Sequence, residues 1–277
     1  MPVTFLSPQE LSIIDNCLIL DATYFIKGGT EKAKERFTER SIPHSSFWDI
    51  NSCADPHYRL PHMLAPEIIF AHFLAGSRWK NKQPICIYDQ IGLFSAPRLA
   101  WEFCKREVDA DIYLLGGGLP SWEAAGLPLT PGSKIIEPST PNPDLWWQDS
   151  FVASYNLSEV FDELRIDPKH SAQIVDARSP GRFNGSEPEP REGLRGGHIP
   201  GSVNLPFSTV VKDGQFTNDF NLNGVDLSRP IVTTCGSGIT AAGLALALEA
   251  RGAEHVMVYD GSWSQWGDPA AMTPISL

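Results

Sequence analysis

Along the chain, apolar positions gather in short unbroken runs rather than in strict alternation. Cys17-Leu-Ile-Leu-Asp21 and Gln173-Ile-Val-Asp176 are two of them, and each ends on an acidic side chain. A continuous apolar run of this length suits a strand covered on both faces and is too short for a helix. Each therefore predicts a buried strand that delivers a carboxylate to a loop. Pro84-Ile-Cys-Ile-Tyr-Asp89 followed by Ser95-Ala-Pro-Arg98-Leu-Ala-Trp shares its pattern with Pro230-Ile-Val-Thr-Thr-Cys235 followed by Thr240-Ala-Ala-Gly-Leu-Ala-Leu. Both predict strand, tight loop, helix. A third pair, Ile112-Tyr-Leu-Leu-Gly-Gly117 with Trp122 and Val256-Met-Val-Tyr-Asp-Gly261 with Trp266, closes the series.

From Asp21 to Asp176 is 155 residues, from Asp89 to Cys235 is 146, and from Gly117 to Gly261 is 144. Three matches in the same order imply an internal duplication. Strands alternating with helices at this spacing predict an α/β fold written twice, each copy a mainly parallel sheet flanked by helices. The stretch from Ser133 to Tyr155 carries Pro138, Pro141 and Pro143 and is the natural linker. The expected domains are residues 1–143 and 144–277, with Trp146-Trp147 read as a packing element beside the linker. The copies differ in one respect. A Gly/Pro/Arg/Glu-rich stretch runs from Ser179 to Gly197 in the second, and ordered loops of that length usually carry function.

Composition narrows the classes. The 277 residues include 22 Lys+Arg and 33 Asp+Glu, a formal charge of −11. Such a balance argues against nucleic acid or an anionic membrane as partner, and an anionic substrate needs a local basic cluster. The five cysteines are odd in number and form no C-x-x-C pair, which argues against a disulfide framework or a zinc site. No metal or cofactor is expected. The chain shows no signal-peptide pattern and no membrane-length apolar run, so a cytoplasmic address is expected.

Cys235-Gly-Ser-Gly-Ile-Thr240 sits between a predicted strand and a predicted Ala/Leu helix. Two glycines let the backbone curl so that several N–H groups converge, and the helix dipole adds to their pull on negative charge. A cysteine there is expected to present its thiolate, the reactive form. Cys17 and Cys86, flanked by Leu and Ile, read instead as packing residues. A cysteine phosphatase would need an arginine six residues after the cysteine, and Ala241 stands there.

These residues resemble the tandem-domain rhodanese-like sulfurtransferases over nearly the whole chain. The resemblance rests on Cys235-Gly-Ser-Gly-Ile-Thr, Gly181-Arg-Phe-Asn-Gly with Glu189-Pro-Arg191, Gly197-His-Ile-Pro-Gly-Ser-Val-Asn and Ser95-Ala-Pro-Arg98. It implies two rhodanese-like domains and sulfur transfer through a persulfide on Cys235, with the first copy lacking a nucleophile. Thiosulfate-preferring relatives carry Arg-Lys after the cysteine. Gly236 and Ser237 occupy those places here, the pattern associated with 3-mercaptopyruvate as donor. The acceptors implied are a small thiol, a thioredoxin-like protein or cyanide. Arg182 and Arg191 match the family's substrate-binding arginines, joined by Gly236, Gly238, Ile239 and Thr240 of the loop. The alternative is that these arginines pair with Glu187, Glu189 or Glu192.

Ser237 and His62, the latter from the first copy, match the family's proton-handling residues. The family's aspartate eleven residues before the histidine is Asn51 here, which leaves Asp49 or Asp55 as possible substitutes. Phe94 stands where a tyrosine is frequent. His198 is expected to bond backbone or the Asp176 carboxylate, and Arg178 and Arg195 to be structural or rim residues. A thiosulfate sulfurtransferase and a non-catalytic sulfur carrier are the competing readings.

Overall fold

The structure, a computed structural model, describes residues 3–141, 154–165 and 171–277. The expected boundary at Pro143 and the Trp146-Trp147 pair lie outside them. The described chain groups into two compact units. One takes in residues 3–57, 64–141 and 213–215, and the other residues 58–63, 154–165, 171–212 and 216–277. His62, read as a first-copy contribution, therefore groups with the second unit.

The first unit holds strands β1 (Thr4–Leu6), β2 (Leu18–Asp21), β3 (Ser46–Phe47), β4 (Ile85–Tyr88) and β5 (Ile112–Leu115). They form one sheet in the order β1-β5-β4-β2-β3, and every pairing in it is parallel. Its helices are α1 (Pro8–Ile13), α2 (Gly29–Glu39), α3 (Glu67–Ser77), α4 (Ala96–Lys105) and α5 (Gly118–Ala124). The four residues of β4 are all buried, as a central strand with helices on both faces requires. Leu6, Ile42, Cys86, Tyr88, Leu115 and Trp122 pack on one side of the sheet.

The second unit repeats this plan. Strands β6 (Ser154–Tyr155), β7 (Gln173–Asp176) and β8 (Val203–Asn204) precede a hairpin, β9 (Val211–Lys212) and β10 (Gln215–Phe216). β11 (Ile231–Thr234) and β12 (Val256–Tyr259) follow. The five-stranded sheet has the order β6-β12-β11-β7-β8, again parallel throughout. Position for position this is the order of the first sheet, so the collinear matches read from the chain correspond to equivalent strands. Helices α6 (Leu157–Glu163), α7 (Pro180–Phe183), α8 (Ile239–Ala250) and α9 (Ser262–Trp266) complete it. In α8, Ile239, Ala241 through Leu248 are buried, so the helix is apolar all round and lies inside the unit. No helix among the described residues is long and apolar enough to cross a membrane.

Candidate active site

Ligand sites in parallel α/β sheets form beyond the carboxyl ends of the strands. Cys235 follows β11 directly and is 3% exposed. Its loop is pinned from the α9 side. The Cys235 carbonyl accepts the Trp263 N–H at 3.0 Å and the Gly236 carbonyl accepts the Ser264 N–H at 2.9 Å. The Ser264 hydroxyl donates to the same Gly236 carbonyl at 2.6 Å. The Cys235 N–H donates to Ser262 Oγ at 3.2 Å, and that hydroxyl donates to the Tyr259 carbonyl at 2.8 Å. Ser262 holds a left-handed backbone, φ 48°, to take this place. Gly238 caps α8 with φ 83°, a conformation that a side chain would strain. The first N–H groups of α8 have no acceptor within the helix, so a preorganised group of donors follows the cysteine.

Ser237 is buried two residues along this loop. Ile239 and Thr240 form the first turn of α8, and the Ile239 side chain is in the core. With its side chain in the core, Ile239 has only its backbone N–H to offer toward the loop.

The loop from Ser179 to Gly197 lies alongside. A Cβ placed on Gly236 would stand 2.8 Å from Arg182 Nη2 and 3.9 Å from Arg191 Nη1. The glycine after the cysteine thus leaves the room that the guanidinium of Arg182 fills. Arg191 Nη2 lies 3.4 Å from His62 Nε2. An arginine can only donate, so that contact needs the imidazole nitrogen as acceptor. His62 is buried and has a left-handed backbone, φ 60°.

Behind Arg182 lies an ion-pair chain, and Glu189 within it is one of the three carboxylates that the alternative reading pairs with these arginines. Arg182 Nη2 donates to Glu189 Oε2 at 2.6 Å, and Arg178 Nη1 donates to Glu189 Oε1 at 2.8 Å. Arg178 Nη2 in turn donates to Asp176 Oδ2 at 2.6 Å and to the Gly197 carbonyl at 2.8 Å. The Arg178 guanidinium lies 4.1 Å from the Trp263 ring centre. Burial opposes charge on Arg178, yet Asp176 and Glu189 hold its pKa above the ordinary value. Arg178 is therefore structural, as expected, and so is Arg195, which donates to the carbonyls of Thr273 and Trp266 at 2.8 and 2.9 Å. His198 bonds backbone, its Nδ1 2.9 Å from the Phe183 carbonyl, while Asp176 is held by Arg178.

The three residues considered as support for His62 have partners of their own. Asn51 donates to Thr30 Oγ1 at 3.1 Å, and Asp55 lies 2.9 Å from His57 Nδ1. Asp49 pairs with Lys34 at 2.6 Å; burial opposes its charge, but Lys34 and Ser52 pull its pKa below the ordinary value. Among the other cysteines, burial pushes the Cys17 thiol up to about 11 and raises Cys53 and Cys86 well above the usual thiol range. Those thiols stay protonated and unreactive.

The rhodanese-like domain model matches residues 159–268. The 3-mercaptopyruvate sulfurtransferase of Mus musculus is 36% identical over 258 residues, 90% of this chain and 84% of that protein. This chain belongs to that sulfurtransferase family. It is an enzyme, and its tandem parallel sheets are the rhodanese fold. The crystal structure of SseA from Escherichia coli, described under 3-mercaptopyruvate sulfotransferases, superposes with a TM-score of 0.75 at 30% identity. That match covers 94% of this chain and 99% of SseA. The thiosulfate sulfurtransferase of Mus musculus is also 36% identical, over 264 residues, 90% of this chain and 84% of that protein. Overall identity therefore does not separate the two sulfur donors, and the choice falls to the loop beside Cys235.

The sequence reading missed Ser262, Trp263 and Ser264, which hold the loop from below. Their signal was faint: a Ser-Trp-Ser triplet after Gly261, with nothing in its spacing to tie it to Cys235.

Proposed function

We propose that the second copy, residues 144–277, takes sulfur from 3-mercaptopyruvate onto Cys235 and passes it to a thiol or to cyanide. The observation that carries this reading is the glycine at position 236, whose missing side chain admits Arg182 next to the cysteine, with Arg191 close by. A planar guanidinium pair suits a carboxylate beside a carbonyl oxygen.

The Cys235 thiolate attacks the donor's thiol sulfur. An S–S bond forms, the C–S bond breaks, and its electron pair goes to the carbon as the enolate of pyruvate. The sulfur's proton moves to that carbon, leaving pyruvate and an anionic persulfide. The loop N–H groups stabilise the outer sulfur, as an oxyanion hole stabilises oxygen. Ser237 and His62 are the groups that hold and relay the proton, with Arg191 orienting the imidazole. Attack by an acceptor thiolate, from a small thiol or a thioredoxin-like protein, then returns Cys235 to its thiolate. Five free cysteines suit a reducing compartment, and the cytoplasm is the proposed one.

Mass spectrometry after addition of 3-mercaptopyruvate tests the reading. One added sulfur on the Cys235 peptide, with stoichiometric pyruvate, is expected, and Cys235→Ser should lose at least about a thousandfold in turnover. Cys104→Ser should keep most activity. Sulfur loading without pyruvate would leave a carrier, and a higher kcat/KM for thiosulfate would reverse the donor assignment.

A further inference from the structure

We infer that Glu189 is a specificity-determining residue, acting through Arg182 to favour a singly charged sulfur donor over a doubly charged one. The inference rests on the reading of Cys235 and its loop as the transfer site.

Three features of the second unit carry it. First, the guanidinium closest to Gly236 is already engaged. Arg182 Nη2, the atom nearest the position after the cysteine, is the atom that donates to Glu189 Oε2 at 2.6 Å, and Arg182 Nε donates to Oε1 at 3.2 Å. Second, Glu189 is itself fixed. Its side chain is 3% exposed and shared with Arg178, whose side chain is 0% exposed and tied to an equally buried Asp176. The chain therefore alternates in sign, Asp176, Arg178, Glu189, Arg182, and ends with the cation at the site. Third, the ends differ in exposure. Arg182 is 19% exposed and stands at the site, while the carboxylate that balances it is sealed behind it.

A bidentate pair of this kind does two things. It aims the guanidinium, and it reduces the positive potential that the loop presents to an incoming anion. The donors differ in that respect: 3-mercaptopyruvate carries one carboxylate, whereas thiosulfate carries two charges at neutral pH. A potential lowered by one unit of nearby charge weakens binding of a dianion by more than that of a monoanion. The buried position of Glu189 keeps salt from screening the effect away. Specificity built by tempering an attraction, rather than by adding a contact, is a form of discrimination against the wrong ligand.

The test compares kcat/KM for both donors, with cyanide as acceptor, in the wild type, Glu189→Gln and Glu189→Asp. Glutamine keeps the length and loses the charge; aspartate keeps the charge and alters the geometry. The thiosulfate-to-mercaptopyruvate ratio should rise about tenfold in Glu189→Gln and stay within about twofold of wild type in Glu189→Asp. A folded Glu189→Gln with an unmoved ratio overturns the inference, as does an equal shift in Glu189→Asp. Should Glu189→Gln fail to fold, inhibition of the wild type decides the matter. Ketomalonate, an α-keto dianion, should inhibit at least about tenfold more weakly than pyruvate, and equal or tighter inhibition overturns the inference. A wild type faster with thiosulfate sinks the donor assignment alone, since the change of ratio on substitution is read independently of which donor leads.

Discussion

Asp21 and Asp176 stand at the same point in the two copies and meet opposite surroundings. Two residues after Asp176 comes Arg178, which neutralises it with bonds of 3.0 and 2.6 Å to Oδ2. Two residues after Asp21 comes Thr23, whose N–H donates to Asp21 Oδ1 at 3.0 Å, while Gln90 donates to Oδ2 at 3.0 Å. Those neutral donors do not offset the loss of water, and burial raises the Asp21 carboxyl to about 6 from its usual 3.8. The sign follows. Between those values the folded protein holds a proton that the unfolded chain has released, so this group's contribution is most favourable below 3.8 and is lost as pH rises through about 6. Asp21→Asn removes that penalty. Its Tm relative to wild type should be several degrees higher at pH 7.5 than at pH 4.5, since roughly 2–3 kcal/mol is at stake. Thermal melts at the two pH values check it, and an identical offset at both would remove Asp21 as the source.

At the scale of elements, the loop between β4 and α4 stands in the first copy where the Cys235 loop stands between β11 and α8 in the second. In the first, Asp89 Oδ1 accepts the N–H groups of Ile91, Gly92 and Leu93 at 3.0, 2.7 and 3.2 Å. Asp89 Oδ2 accepts those of Phe94, Ser95 and Ala96 at 2.6, 2.9 and 3.0 Å. Six amides converge on one buried carboxylate, an anion nest closed by its own chain. This supports the view that the corresponding turn after Cys235 is built to hold negative charge on sulfur. Asp89→Ala strands those donors and should destabilise the protein by at least about 3 kcal/mol, given ~1–3 kcal/mol for each buried unpaired group. Millimolar formate, small enough for the vacated nest, should recover part of the lost Tm. No recovery would mean that the loop collapses without its carboxylate.

For the molecule as a whole, the duplication was legible because central parallel strands are mainly apolar: β4, β5 and β12 are so throughout, while β2, β7 and β11 turn polar only at their ends. The edge strands β3, β6 and β8 have two residues each, too few to show any period. Within the site, Cys235 and its glycines stood out because a nest and a helix start leave a local signature. The pairing of Arg182 with Glu189, the contact of Arg191 with His62 and the serines under the loop are made by folding. In the chain, 129 residues separate His62 from Arg191, and no spacing rule connects them. The net charge of −11 turned attention to local arginines, and the chain alone left open whether Glu187, Glu189 or Glu192 balances them; folding selects Glu189 for Arg182.

The carboxylate in the first nest also fixes an accounting of stoichiometry. On the proposed reading the loop after Cys235 cradles the transferred sulfur, and the matching loop of the first copy is already filled by the Asp89 carboxylate. Each 30.5 kDa chain should therefore accept a single equivalent of transferable sulfur. Discharge of the fully charged protein with cyanide should release thiocyanate in one burst that levels off at one per chain. A plateau at two would show that the first copy also takes cargo.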